Sequence, residues 1–321
     1  MSLREPGPRI LVVGGTGQMG RKIVRALAEL DCAEIRATFR AGSSPEAVAA
    51  LRDAGAELLE ADLADAASLS RACVGVDVVV SAVQGMRSVI VDGQTRLLRA
   101  AEAAGVARMI PSDYALDFFG TEPGGNRNLD LRRDFARILD GSSVRGTSLL
   151  CGAFMDLFAY GAMGPDRRSG SFRVWGDVDQ ASDFTCTDDV ARYVAHVALD
   201  AGAPRVVRVA GDTQSARQIA GIFEDLLGMR VHLGSLGSLD ELSRRIEELR
   251  ANDPDAEGPY PIWQRLQYAR DMQSGRGRFT QLDEARYPDV HPVDMRTFLT
   301  EAFEGPSSDR RPIRGPRPSV G

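Results

Sequence analysis

The sequence predicts an α/β protein: a doubly wound parallel sheet with a smaller, mostly helical C-terminal lobe. Three observations carry that expectation. Short apolar runs alternate with helical patterns through the first half of the chain, a glycine-rich bend follows the first of those runs, and helical periodicity takes over from Ser215 onward.

The first strand is Ile10 to Val13, and the bend after it holds Gly14, Gly17 and Gly20. An amphipathic helix over Met19 to Leu30 and a second strand, Ile35 to Phe39, close a βαβ unit. Further strands are expected at Glu57 to Glu60, Val76 to Ser81, Arg108 to Pro111 and Thr147 to Cys151, with a helix over Ser88 to Ala104. A helix from about Asp188, with Thr185 and Thr187 as its expected caps, returns the chain to the sheet, and Val206 to Ala210 adds a strand. Four helices follow, over Ala216 to Leu227, Leu239 to Ala251, Pro261 to Ser274 and Val293 to Phe303. The first domain therefore spans 1–155 and is rejoined at about 183–210, the second lobe takes 156–182 and 211–304, and 305–321, rich in Pro, Arg and Ser, reads as a flexible tail.

Composition narrows the function. At 43% hydrophobic and 26% charged residues the 321-residue chain is of globular type. No apolar run approaches a membrane span and residues 1–8 hold no signal-peptide core, so a cytoplasmic protein is expected. A formal net charge of −6 argues against a broad grip on nucleic acid. Cys32, Cys73, Cys151 and Cys186 show no paired spacing and His196, His232 and His291 are scattered, so no metal site is expected. Lys22 is the only lysine.

A strand running into spaced glycines at the start of a helix is suited to a dinucleotide. Gly14 permits the tight turn, Gly17 lets the backbone approach a pyrophosphate, and Gly20 permits close packing of the helix. Thr16, Gln18 and Met19 complete the loop, where unpaired helix N–H groups face the phosphates. At the end of the second strand Arg40, followed by Gly42, Ser43 and Ser44, offers a cation and small donors to a ribose 2′-phosphate, which favours NADP(H) over NAD. Asp62 and Leu63 stand where an adenine edge is met, although Asp62 also suits a helix cap. Ser81, Ala82 and Gln84 end the fourth strand beside the middle of the cofactor.

Several stretches together resemble the NmrA-like and isoflavone-reductase-like family of atypical short-chain dehydrogenases. They are GGTGQMG, Arg40, RMIPSDY from Arg108 to Tyr114, FTCTDDVARYVA from Phe184 and RYPDV from Arg286. The resemblance implies a Rossmann domain binding NADP(H), with Pro111 and Ser112 at the cofactor. Family reductases read Pro-Ser-Glu-Phe there, so Asp113 and Tyr114 depart from the pattern. Matching the helix before the sixth strand puts Arg132 where those reductases carry a catalytic lysine. A guanidinium orients or stabilises charge but is a poor acid near neutrality.

Two readings stay open. In one, the chain is an NADPH-dependent oxidoreductase of a small carbonyl or conjugated, aromatic or polyketide-like compound. Its proton then comes from Tyr114 oriented by Asp113, from water or from the substrate, and Arg132 stabilises developing negative charge. Phe154, Met155, Phe158, Tyr160, Met163, Phe172 and Trp175 then line an apolar pocket, or else form core between the lobes. In the other, it is a non-catalytic NADP(H) sensor like the NmrA-like regulators. Oligomeric state is open, a homodimer included.

Overall fold

The computed structural model describes residues 7–253, 256 and 258–304, so the expected tail at 305–321 lies outside the described residues. The chain opens with β1 (Arg9–Val13), α1 (Gln18–Leu30), β2 (Glu34–Phe39), α2 (Pro45–Asp53), β3 (Glu57–Glu60), α3 (Ala66–Cys73) and β4 (Val78–Ser81). It continues through α4 (Arg87–Ile90), α5 (Asp92–Ala103), β5 (Arg108–Ile110), α6 (Arg127–Asp140) and β6 (Arg145–Gly146). These strands form a parallel six-stranded sheet in the order β3-β2-β1-β4-β5-β6. The order reverses between β1 and β4, and such a switch point opens a crevice at the carboxyl ends of the strands.

Both faces of the sheet are covered, as its nearly unbroken apolar strands require. Successive side chains point to opposite faces, so Ile10 and Val12 pack with Ile23, Val24 and Leu27 of α1, while Leu11 and Val13 pack with Leu69, Leu97 and Phe135 on the other side.

Beyond β6 the chain changes partner. β7 (Ser148–Leu150) pairs with β11 (Val206–Arg208), and only the Thr147 N–H still bonds to Met109 on β5. The single strand expected over Thr147 to Cys151 is thus split between two ladders. Next come β8 (Ala153–Phe154), α7 (Asp156–Ala159), β9 (Ser171–Val174), β10 (Ala181–Thr185), α8 (Thr187–Leu199), β11 and β12 (Asp212–Ser215). β12, β10 and β8 make a small sheet, and β9 pairs with β13 (His232–Ser235) after α9 (Ala216–Leu227). Helices α10 (Leu239–Asn252), α11 (Ile262–Gln273) and α12 (Met295–Glu304) complete the second lobe. Phe158, Phe172, Phe184, Phe223, Met272 and Phe298 form an apolar cluster here that runs on into Phe118, Leu129 and Leu150 of the first half.

Two local expectations are corrected. The helix over Ser88 to Ala104 is interrupted at Val91, which separates α4 from α5. Thr185 and Thr187 do not cap α8: the N-cap is Cys186 without a side-chain cap bond, and the threonine hydroxyls bond across the chain instead. Thr185 donates to the Cys151 carbonyl (2.7 Å), and Thr187 donates to Asp156 (2.6 Å) while its N–H donates to the other Asp156 oxygen (2.8 Å). Lys22 completes this clasp. Its ammonium donates to Thr187 (2.7 Å) and Asp188 (2.8 Å), and Arg25 donates to Asp188 as well, fastening α1 to α8.

Candidate active site

The bend after β1 is shaped by what a side chain would strike. Gly14 has φ +84°, in the region L-residues avoid, and a Cβ there would lie 2.7 Å from the Ala82 carbonyl oxygen. A Cβ on Gly20 would sit 2.1 Å from the Gly14 carbonyl oxygen, so the first turn of α1 rests directly on the bend. The Gly14 N–H donates to Thr38 Oγ1 (3.2 Å), which ties the bend to β2. Gly17 is exposed and is an N-cap with no side-chain cap bond, so the first N–H groups of the 13-residue α1 are open to an anion. Thr16, Gln18 and Met19 are half-buried around that opening.

At the end of β2 a cleft of about 330 Å³ is lined by Arg40, Ala41, Glu60, Ala61, Asp62, Asp65, Ser68 and Arg71. Arg40 is exposed at its edge. Ser43 Oγ accepts from the Arg40 N–H (3.1 Å) and lies 3.3 Å from Thr16 Oγ1, so the loop after β2 is stitched to the glycine bend. Asp62 is exposed and accepts from the Ala64 N–H (2.8 Å), while the cap of α3 is Asp65; Asp62 therefore shapes the turn and still faces the cleft. The Leu63 carbonyl accepts from Arg96 (2.6 Å).

The ends of β4 and β5 meet in the middle of the crevice. Ser81 is fully buried and its Oγ has no partner among the described residues. Ala82 N–H donates to Val13, continuing the β1 ladder. Ser112, after Pro111, donates through Oγ to the Val83 carbonyl (2.6 Å), and its N–H donates to Gln94 (3.0 Å).

The expected pairing of Asp113 with Tyr114 is not formed. The buried Tyr114 phenol donates to the Ser81 carbonyl (2.9 Å), so its proton is committed to a strut between β4 and β5; burial pushes it far above the usual tyrosine range. Asp113 accepts instead from Ser148 (2.7 Å), which Arg205 also contacts (2.8 Å), and its other oxygen has no partner among the described residues. Burial pushes the Asp113 carboxyl up to about 6, against the pull of Ser148, Arg132 and Arg205. The folded protein then holds this proton more tightly than the unfolded chain. The stability it contributes is fully present below about pH 4 and is lost as pH rises through about 6. Asp113→Asn should gain on the wild type by roughly 3 kcal/mol between those limits, read from urea denaturation at both pH values. A difference that does not change with pH would refute the assignment.

Arg132 lies deeper than its neighbour's sequence context suggests. Neither member of the Arg132-Arg133 pair is exposed. Arg133 is buried, bonded to Asp130 and to Phe118 and Thr121. Arg132 donates to the Asn128 carbonyl (3.0 Å), its Nε has no partner among the described residues, and its charge reaches Asp113, Cys151 and the Tyr268 phenol. It thus stands over the ends of β5 and β7.

Helix α11 closes this side, and no residue of it was singled out from the sequence. Gln264 donates to Asn126 (2.7 Å), Asp271 accepts from Asn126 (2.8 Å), and Gln267 accepts from the Arg127 N–H (3.1 Å). These are positions i, i+7 and i+3 of one helical face, and Tyr268 at i+4 shares it. The Tyr268 phenol lies within electrostatic reach of Arg132 and Asn128, and burial, the largest influence, holds it well above the usual tyrosine range against their pull. Tyr260, whose ring centre is 6.4 Å from that of Tyr268, receives a bond at its hydroxyl from Gln84 Nε2 (2.9 Å), linking the loop after β4 to the second lobe. The polar stripe at helical spacing in QRLQYARD was the available sequence signal.

The expected aromatic lining is mostly core. Met155, Phe158 and Phe172 are buried in the second lobe's apolar cluster with Met163 packed on it, because β8 and α7 turn inward there. Phe154, Tyr160 and Trp175 are half-buried. Among the described residues no helix is long and apolar enough to cross a membrane, and no group of metal-ligating side chains converges.

Comparison with known proteins agrees with this geometry. The model of the NmrA-like family matches residues 7–246. The isoflavone reductase homolog IRL of Zea mays is 33% identical over 237 residues, 68% of this chain and 74% of that one. Pinoresinol reductase 1 of Arabidopsis thaliana is 28% identical over 269 residues, 77% of this chain and 83% of its own. The solved structure of AtPrR2 with NADP+ and (+)pinoresinol superimposes with a TM-score of 0.77 at 25% identity, over 92% of this chain and 99% of that one.

Proposed function

The chain belongs to the NmrA-like family, and on that premise we propose that it is an NADPH-dependent reductase of a small aromatic carbonyl or conjugated compound. The reading rests on one conjunction: a dinucleotide cradle built from Gly14 to Gly20, with a partly buried Arg132 standing over the adjoining strand ends. The residues present fit the cofactor. The N–H groups at the start of α1 would hold the pyrophosphate, Arg40 with Ser43 the 2′-phosphate, and Asp62 and Leu63 the adenosine. Ser81, Ala82, Gln84, Pro111 and Ser112 would flank the nicotinamide half. Reduced nicotinamide supplies a hydride to the substrate carbon. What remains for the protein is to orient the substrate, exclude water and stabilise charge on its oxygen, which Arg132 does as a fixed cation. The half-buried Phe154, Tyr160 and Trp175 are the remaining aromatic candidates for the substrate's apolar part.

Glu60, Asp62 and Asp65 share the cleft with Arg40, so cofactor choice is a contest that Arg40 decides. Arg40→Ala should weaken NADPH binding roughly ten- to hundredfold, the loss of a charge-assisted pair, and leave NADH within about twofold by titration calorimetry. Equal losses for both would remove Arg40 from the phosphate site.

A specific observation favours a second reading, a non-catalytic NADP(H) sensor: the chain's only lysine is tied into the α1–α8 clasp, so lysine acid–base chemistry has no residue to perform it. Oxidation of NADPH with aryl ketones, enones and quinones decides between them. Turnover supports the reductase; none, with NADP(H)-dependent capture of a protein partner, supports the sensor.

A further inference from the structure

The reduction needs a proton at the substrate, and the side chain the sequence offered for it, Tyr114, is engaged with the Ser81 carbonyl. Another hydroxyl meets the requirement. We propose that Tyr268, brought in by α11, and Arg132, from α6, together hold the substrate's oxygen, and that the Tyr268 phenol donates the proton. This rests on the reductase reading above.

Three independent features support the assignment. The helix that carries Tyr268 is clamped, because Gln264, Gln267 and Asp271 on its face bond to Asn126 and Arg127 at the start of α6, the helix that carries Arg132. Arg132 carries a buried Nε–H that no protein group among the described residues accepts, an unmet donor beside the phenol. Buried donors without acceptors are rare in folded proteins, and a substrate oxygen at this point would supply one. Finally, the neighbouring segment is tied to the cofactor side of the crevice: the Tyr260 hydroxyl bonds to Gln84, Asn128 Nδ2 donates to the Pro259 carbonyl (2.7 Å), and Arg127 donates to Gly258 (3.0 Å). The segment leading into α11, the helix that carries Tyr268, is therefore fastened to the loop after β4 and to the start of α6.

The chemistry balances. The substrate takes a hydride at carbon, and the phenol O–H bond breaks as its proton moves to the substrate oxygen, or to the α-carbon of a conjugated substrate. The O–H electron pair stays on the phenolate, which the Arg132 cation and the Asn128 amide stabilise, and water returns the proton. One NADPH is oxidised and one proton is consumed per turnover. The groups facing the phenol are Arg132 and Asn128 of α6, Tyr260 before α11 and Asp271 of α11 itself.

The test compares wild type, Tyr268→Phe and Arg132→Gln in two assays. In NADPH oxidation with aryl ketones, enones and quinones, Tyr268→Phe should lower kcat about 100-fold, with NADPH affinity unchanged and KM moved little. In the second assay, which needs no turnover, 4-nitrophenolate is titrated into each protein with NADP+ present, and both substitutions should weaken its binding by about tenfold or more. A Tyr268→Phe enzyme that keeps its kcat overturns the proposal. No turnover by the wild type, with 4-nitrophenolate held by Tyr268 and Arg132, sinks the reductase reading while leaving the oxygen-binding pair standing. Equal 4-nitrophenolate affinity in all three proteins overturns the pair itself.

Discussion

Gly20→Ala is expected to destabilise the protein by roughly 3 kcal/mol or more and to abolish dinucleotide binding in whatever folds. The added Cβ would lie 2.1 Å from the Gly14 carbonyl oxygen and 2.9 Å from both the Gly14 carbonyl carbon and the Gly15 Cα. All three are backbone atoms of the bend that has to cup the phosphates, so no side chain can swing aside. Relief requires α1 to tilt away from β1, which carries its open N–H groups off the pyrophosphate and disturbs Ile23, Val24 and Leu27 in the core. Urea denaturation and calorimetry with NADP+ measure the two losses separately. A variant with wild-type stability and affinity would show that the bend is softer than its geometry implies.

Lys22→Met is the second large effect and should read as stability alone. It removes the ammonium from Thr187 and Asp188 and leaves the carboxylates of Asp156 and Asp188, both largely buried, with Arg25 in partial compensation. Removing one partner of such a pair costs about 3 kcal/mol, because the remaining charge stays desolvated. Turnover per folded molecule should not change, since the ammonium is engaged in holding α1 to α8. A collapse of kcat in a variant that is still folded would instead make Lys22 a participant in the chemistry.

Much of this architecture was readable in the residues. The apolar runs that become β1 to β5 announced a parallel sheet because burial on both faces leaves no room for polar alternation. The helices α9 to α12 followed from their periodicity, with Ser215 as the start of a capping box. The small strands β8, β9, β10, β12 and β13 were missed: segments such as Asp212–Ser215 are short and polar, and pairing partners distant in sequence create them. Thr185 and Thr187 failed as caps for a related reason, as their hydroxyls meet Cys151 and Asp156 from remote parts of the chain. In the site, the strand, bend and helix proposed to hold the phosphates were legible as structure because they lie within about thirty residues. The chemistry was not. Tyr114 is next to Asp113 in sequence yet points to β4, and Tyr268 lies on a helix far downstream that only tertiary packing brings to Arg132.

The α1–α8 clasp also gives the molecule a reporter of its own opening. With a single side-chain amine, engaged by Thr187 and Asp188, acylating reagents reach that nitrogen freely only when those helices part. The rate of its modification in native buffer therefore reads the local opening equilibrium of the nucleotide-binding half, without a label having to be introduced.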